Sequence, residues 1–199
     1  MAIRTVVFDL DGVIRHFDPT HRPGVEQRHD LEAGSLDRAA WDPAVSVALV
    51  TGRLTRAEWV AGIGDEVGSR AAADEWLAHR GSVDSEMMAL VDELRAVDLP
   101  VSVLTNGTDT VHDELDHHGI ADRFDRVFNS WDLGMAKPDP AVFGHVCREL
   151  AVEPAAVFFT DDTAANVAGA LDVGLHARVF VDPPTLRRDL AEAGLGVVG

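Results

Sequence analysis

Apolar runs of strand length recur along the chain, and polar stretches with helical periodicity fill the gaps between them. The runs are TVVFDL from Thr5, VSVLT ending at Thr105, RVFNS around Val127, VFFTD over 157–161 and HARVFVD over 176–182. They are rich in β-branched and aromatic residues and scarcely alternate with polar ones, the pattern of strands buried on both faces. In DSEMMALVDELRAV, the residues Met87, Leu90, Val91, Leu94 and Val97 form one stripe at helical spacing. DTVHDELDHHG, TAANVAGALDVG and TLRRDLAEAG close on Gly119, Gly174 and Gly194, and glycine suits the left-handed position just past a helix. Strands alternating with helices predict an α/β fold with a doubly wound parallel sheet, whose ligand lies outside the carboxyl ends of the strands.

One interval breaks the rhythm. A parallel crossover needs only about a dozen residues, yet the first strand ends near Asp9 and the second begins near Val101. The surplus contains the helix-like segments VEQRHDLEAG, TRAEWVAGIGDEVG and SRAAADEWLAHRG, together with Trp41, Trp59 and Trp76. The expected organisation is a core of residues 1–15 and 84–199, interrupted by a small helical cap over 16–83. GIGDEVG within it has neither the spacing of a dinucleotide-binding fingerprint nor a strand before it. The tryptophans read as cap core, with Trp41 also a candidate for the pocket mouth.

The polar residues that follow the runs are the candidate chemistry. Asp9 and Asp11 follow the first, Thr105, Asn106 and Gly107 the second, and Asp161 and Asp162 the fourth, while Lys137 lies in a loop after the third. Singly, each aspartate also reads as a helix cap and Thr105-Asn106 as a turn. Together, four strand ends delivering polar groups to one sheet edge are poorly explained by capping. Lys137 is the only lysine, every other basic residue being arginine; either that is chance or the site requires a compact cation rather than a planar fork. A carboxylate facing a phosphate dianion is repelled by about 8 kcal/mol at ~4 Å and an effective dielectric of ~20, which calls for a cation. Massed carboxylates with room for water suit Mg²⁺, and Lys137 supplies a second positive charge.

Composition narrows the setting. In 199 residues, 46% are apolar, enough to bury a substantial core. The formal net charge of −17 argues against nucleic acid and anionic membrane surfaces but not against a small anionic substrate. Cys147 is the only cysteine; at helical spacing with Val142, Phe143, Val146 and Leu150 it reads as a buried thiol, and cytoplasmic localisation is expected. The first residues, MAIRTVVFDLDGVIRH, read as a strand rather than a signal peptide, because two aspartates interrupt the apolar run. His112, His117 and His118 read as a solvated helix face without metal-ligand spacing. The protein is expected to be a monomer or homodimer.

DLDGV, LTNG, KPDPAVF and TDDTAANVAGA, in that order across essentially the whole chain, resemble the haloacid dehalogenase-like hydrolase superfamily. The resemblance is to the branch with a helical cap between the first and second motifs, which includes small sugar-phosphate phosphatases and the phosphatase domain of soluble epoxide hydrolases. It implies a Rossmann-like core and Mg²⁺-dependent phosphatase activity on a small phosphorylated metabolite, the expected partner, with Asp9 as the nucleophile that forms an aspartyl-phosphate. Asp11 is implied as general acid and then base, its backbone carbonyl reaching the metal. Thr105, Asn106 and Gly107 are implied for the phosphate, and Lys137 for bridging nucleophile and phosphate. Asp162 is implied as a metal ligand with Asp161, directly or through water, and Asn166 as support. Arg15 and His16 depart from commoner branch members; near the cap hinge both are candidates to contact the distal part of the substrate, with Arg15 equally a candidate to pair with a nearby acid.

Three other functions stay open at this stage. A phosphomutase uses the same residues and keeps the phosphoryl group. A receiver-like phospho-accepting module has a similar acidic pocket but no cap and a different motif order. A binding protein without turnover is opposed by the intact acidic set. A dehalogenase is disfavoured because those enzymes lack the second aspartate, present here as Asp11.

Overall fold

The computed structural model describes residues 2–196. Strand β1 (Thr5–Phe8) leads through β2 (Arg15–His16) into helices α1 (His21–Arg28), α2 (Ser35–Ala40), α3 (Pro43–Val50), α4 (Arg56–Val67) and α5 (Arg70–Ala78). The chain returns through β3 (Ser82–Val83) to α6 (Ser85–Ala96), β4 (Val101–Thr105), α7 (Val111–His117), β5 (Arg126–Asn129) and the short α8 (Ser130–Leu133). It closes with α9 (Pro140–Glu149), β6 (Val157–Asp161), α10 (Ala164–Val173), β7 (His176–Val179) and α11 (Pro183–Glu192). All five expected strands form one parallel sheet, in the order β5-β4-β1-β6-β7.

The apolar runs lack alternation because both faces of the sheet are covered. Val6 and Phe8 of β1, Val101 and Val103 of β4 and Phe158 of β6 face α6, α7 and α11 in one core. Their neighbours Val7, Leu104, Val157 and Phe159 face α9 and α10 in a second core, which also takes in Cys147. Successive side chains along a strand point to opposite faces, so both sets of positions are buried in the central strands β1, β4 and β6, whereas the edge strand β7 exposes His176, Arg178 and Val179. Helix starts are set locally. The Asp84 side chain accepts from the amides of Glu86 and Met87 at 2.8 and 3.2 Å, Asp139 caps α9 ahead of Pro140, and Thr55 with Glu58 forms a capping box on α4.

Two short strands and three short helices, α2, α3 and α8, have no counterpart in the sequence reading. β2 and β3 pair antiparallel, Arg15 with Val83 and His16 with Ser82, and together carry the chain out to the helical segment and back. Two residues per strand are too few to show a period. Helices α2 and α3 lack the stripe of a longer helix and are held by the core of the helical segment, where Leu36, Leu49, Trp59 and Ile63 are buried together. That segment also rests on the sheet domain away from the hairpin: the Arg56 amide donates to Asp109 Oδ1 at 2.7 Å, and the Trp131 indole N–H donates to the Leu54 carbonyl at 3.2 Å.

Candidate active site

Strands β4, β1 and β6 are neighbours, so Thr105, Asp9 and Asp161 come to lie side by side at their carboxyl ends. Lys137 reaches this point from the loop between α8 and α9. Its side chain is almost wholly buried, and Nζ lies 2.7 Å from Asp9 Oδ1, 2.6 Å from Asp161 Oδ2 and 2.8 Å from the Leu104 carbonyl oxygen. Three acceptors match the three protons of an ammonium group. A guanidinium would bring a wider planar group into the same space, a physical reason for lysine in a chain that otherwise uses arginine.

Each member of this group is itself held. Asn106 closes on the Lys137 backbone from both sides, Oδ1 accepting from its amide and Nδ2 donating to its carbonyl, both at 2.9 Å. Asp161 is fully buried; its Oδ1 accepts from the Thr163 amide at 2.8 Å and from Asn166 Nδ2 at 3.0 Å, while its Oδ2 takes Lys137. Asp9 Oδ1 also accepts from the Leu10 amide at 2.7 Å. Asp162 is exposed and accepts from the Thr163 hydroxyl at 3.1 Å. Gly12 lets the loop after β1 press against it: at a φ of +88°, a Cβ there would stand 2.1 Å from Asp162 Oδ2. Gly107 does the same after β4, where a Cβ would meet Val111 at 2.3 Å and Asn129 Oδ1 at 2.8 Å.

Charge is unbalanced here. Carboxylate oxygens of Asp9, Asp161 and Asp162 fall within 4.8 Å of one another, with the single ammonium of Lys137 among them. Burial pushes Asp9 up to about 7; the Lys137 charge opposes this and the Asp161 charge adds to it. An all-oxygen donor set of this kind fits a hard divalent cation such as Mg²⁺.

Asp11 stands at the rim, and Arg15 holds it. Arg15 Nε and Nη2 donate to its two carboxylate oxygens at 2.6 and 3.0 Å, while Arg15 Nη1 donates to Glu114 Oε2 at 2.6 Å. Burial lowers the Arg15 pKa, but hydrogen bonds and charge from Asp11 and Glu114 outweigh it, and the net shift is upward. Burial likewise pushes Glu114 up, yet Arg15 brings it below the ordinary carboxylate range. Of the two readings for Arg15, pairing with an acid is what the structure shows. His16 turns instead to Asp84 at 3.5 Å, on the hairpin and outside the residues that line the cavity. Glu114 was missed because DTVHDELDHHG offers several acids with nothing to single one out; its partner is 99 residues away.

Above these residues a cavity of about 450 Å³ opens between the helical segment and the sheet. Asp11, Asn106 and Gly107 form part of its floor, and Trp41, Trp59 and Trp76 part of its walls. Trp41 is half exposed and Trp59 is buried, yet both line the cavity, as does Trp76.

A phosphatase of Mycobacterium tuberculosis is 28% identical over 211 residues, covering 100% of this chain and 96% of its own. The bifunctional epoxide hydrolase 2 of Sus scrofa is 26% identical over 96% of this chain, and the acyl-CoA dehydrogenase family member 10 of Mus musculus 26% over 98%. The chain spans only 38% and 19% of those two relatives. Among solved structures, a predicted HAD-like family hydrolase from Porphyromonas gingivalis superposes with a TM-score of 0.77 at 24% identity, over 96% of this chain and 98% of that one. A HAD family enzyme from Bacteroides thetaiotaomicron, in complex with magnesium and inorganic phosphate, gives 0.76 at 22% identity over 89% and 94%. At such identities the structures speak for the fold. The family model for haloacid dehalogenase-like hydrolases matches residues 3–174, and the chain belongs to that family.

Proposed function

We propose that this hydrolase is a Mg²⁺-dependent phosphatase that cleaves a small phosphoric monoester through an aspartyl-phosphate on Asp9. The observation that carries the reading is Lys137, held at once by Asp9 and Asp161 beside the loop at Thr105–Gly107. A phosphoryl group placed there meets a carboxylate, an ammonium and the backbone amides of a turn, which cradle anions. The related mycobacterial phosphatase and the magnesium- and phosphate-bound neighbour support the same class.

In this mechanism a carboxylate oxygen of Asp9 attacks phosphorus and the bond to the ester oxygen breaks. Asp11 passes a proton to the departing alkoxide. Water then attacks the phosphoryl-aspartate, Asp11 takes its proton, and inorganic phosphate leaves with the Asp9 carboxylate restored. Asp11 acts once it exchanges Arg15 for the ester oxygen. Lys137 keeps Asp9 oriented and balances charge on the phosphoryl group, Thr105 and Gly107 seat its oxygens, and Asn106 fixes Lys137. Asp9, Asp161, Asp162 and the Asp11 carbonyl would hold Mg²⁺, which offsets repulsion between the nucleophile and the dianion; Asn166 steadies Asp161. The expected substrate is a free metabolite in the cytoplasm, a sugar phosphate being one candidate, and neither nucleic acid nor membrane is an expected partner.

The test is phosphate release from an aryl phosphate with Mg²⁺ and with chelator, for the wild type and Asp9→Asn. Cation-dependent release that falls by about four orders of magnitude in the mutant is expected. Release that survives the mutation would remove Asp9 as nucleophile.

A further inference from the structure

The cavity's floor is charged and its walls are apolar, and this bears on the part of the substrate that is not phosphate. Phe17, Trp41, Leu49, Trp59, Trp76 and Leu77 form the walls. The rings stand close to one another: Trp41 and Trp59 centroids are 5.5 Å apart, Trp59 and Trp76 6.2 Å. Trp41 and Phe17 are about half exposed, at 53% and 47%. Such apolar area facing a cavity costs free energy unless something covers it.

Most of the charged groups in the same lining are already paired; among the described residues, the exceptions in the polar lining are Arg80 and the buried Nε2 of His21. Asp11 and Glu114 share Arg15, and Glu114 also accepts from the Thr110 hydroxyl at 2.8 Å. Asp18 accepts from the amide and hydroxyl of Thr20 at 2.8 and 2.7 Å. Arg22 is bound to Asp37, and Arg56 donates to the Leu77 carbonyl. A polyol needs a donor or acceptor for each buried hydroxyl, and a site built for hydroxyls uses free polar groups to select them. These walls present chiefly ring faces and aliphatic carbon instead.

We infer that the physiological substrate is the phosphate ester of a largely apolar, ring-bearing or branched alcohol, whose hydrocarbon part lies against Trp41, Trp59 and Trp76, rather than a sugar phosphate. This rests on the phosphatase reading for turnover, but not for binding. Apolar contact is non-directional, so the cavity selects by burial and shape. Trp41, exposed at the mouth, closes over the hydrocarbon part.

The experiment separates the two readings. Rates are compared for naphthylethyl, ethyl, glycerol and glucose phosphates, all esters of primary alcohols, so that leaving-group basicity is nearly matched. In parallel, naphthylethyl and ethyl phosphonates, which cannot be hydrolysed, are titrated into the Mg²⁺-loaded protein by calorimetry. The naphthylethyl compound is expected to be favoured over ethyl on the order of a hundredfold in both kcat/KM and affinity, with glycerol and glucose phosphates no better than ethyl. In Trp41→Ala the naphthylethyl-to-ethyl ratio is expected to shrink by about tenfold. Equal affinities for the two phosphonates, or a preference for glucose phosphate, would overturn the inference. Strong preference in binding with no hydrolysis of any ester would sustain the apolar cavity and remove the phosphatase reading instead.

Discussion

At the strand ends beneath the cavity, its floor in the wider sense, Lys137 is held by three acceptors at 2.6–2.8 Å, and two of them, Asp9 and Asp161, are held in turn by Leu10, Thr163 and Asn166. On the roof, Trp41, Trp59 and Trp76 meet only as tilted rings more than 5 Å apart at their centroids. The floor sits on the ends of three adjacent strands, the most constrained backbone in the fold. The roof sits on the helices of the inserted segment, joined to the sheet domain by two-residue strands and a few contacts around Leu54 and Arg56. Directional bonds on rigid elements fix geometry to fractions of an ångström, as chemistry at phosphorus requires. Ring faces on the inserted segment supply burial without strict direction, and they can be exchanged with little cost to the floor. The contrast suggests that reaction and selectivity are separable in this chain.

The harshest way to break the comparison is at Lys137. Lys137→Met leaves Asp9 and Asp161 buried without their cation, and a loss of about 3–5 kcal/mol is expected in urea unfolding. Lys137→Arg keeps the charge but overfills the space, with an expected cost of about 1–3 kcal/mol and a fall of roughly a hundredfold in kcat. A fully active Lys137→Arg protein would show that the three-acceptor geometry carries no requirement for lysine.

Next comes the roof. Trp59 is buried and donates its indole N–H to the Ala40 carbonyl at 3.1 Å, so Trp59→Ala is expected to cost about 3–5 kcal/mol. Hydrogen exchange should show the loss concentrated in helices α1–α5, with the amides of β1, β4 and β6 still protected. Exposed Trp41 should cost within about 0.5 kcal/mol when cut to alanine. Loss of protection spreading equally through the sheet would make floor and roof one cooperative unit.

A last test is a pH slope that belongs to the floor alone. Burial is the largest cause of the raised Asp9 pKa, about 7 against 3.8 for the free side chain. Between these values the folded, cation-free protein keeps a proton that the unfolded chain has released. Asp9 therefore makes stability fall as pH rises from about 4 to about 7 and level off above. Asp9→Asn should lack this contribution, and added Mg²⁺ should reduce it in the wild type. Unfolding in chelator at several pH values measures the difference; identical slopes for wild type and mutant would place the proton elsewhere.

Legibility in the sequence divides along similar lines. The sheet strands could be read because burial on both faces removes polar positions from them, as with Val6, Val7 and Phe8. The floor could be read because backbone topology forces Asp9, Thr105 and Asp161 to one edge once the strands are placed. Lys137 announced itself by being the only lysine. The hairpin at Arg15–His16 was not legible, since two residues carry no period. Glu114 was not legible either, because an acid in an acid-rich helix gains meaning only from the guanidinium that reaches it across the fold.

Taken alone, the sequence determined the α/β class, the strands, the place of the inserted helices and the set of polar groups at the strand ends. Each of these follows from local periodicity or from the order of elements along the chain. Only the tertiary structure decided that Arg15 clasps Asp11 and Glu114 together, that Asn106 closes on the Lys137 backbone, that His16 turns away to Asp84, and that the aromatic rings form the cavity walls. Those are pairings between segments far apart in the chain, and their geometry is set by packing across the whole fold rather than by any pattern within one segment.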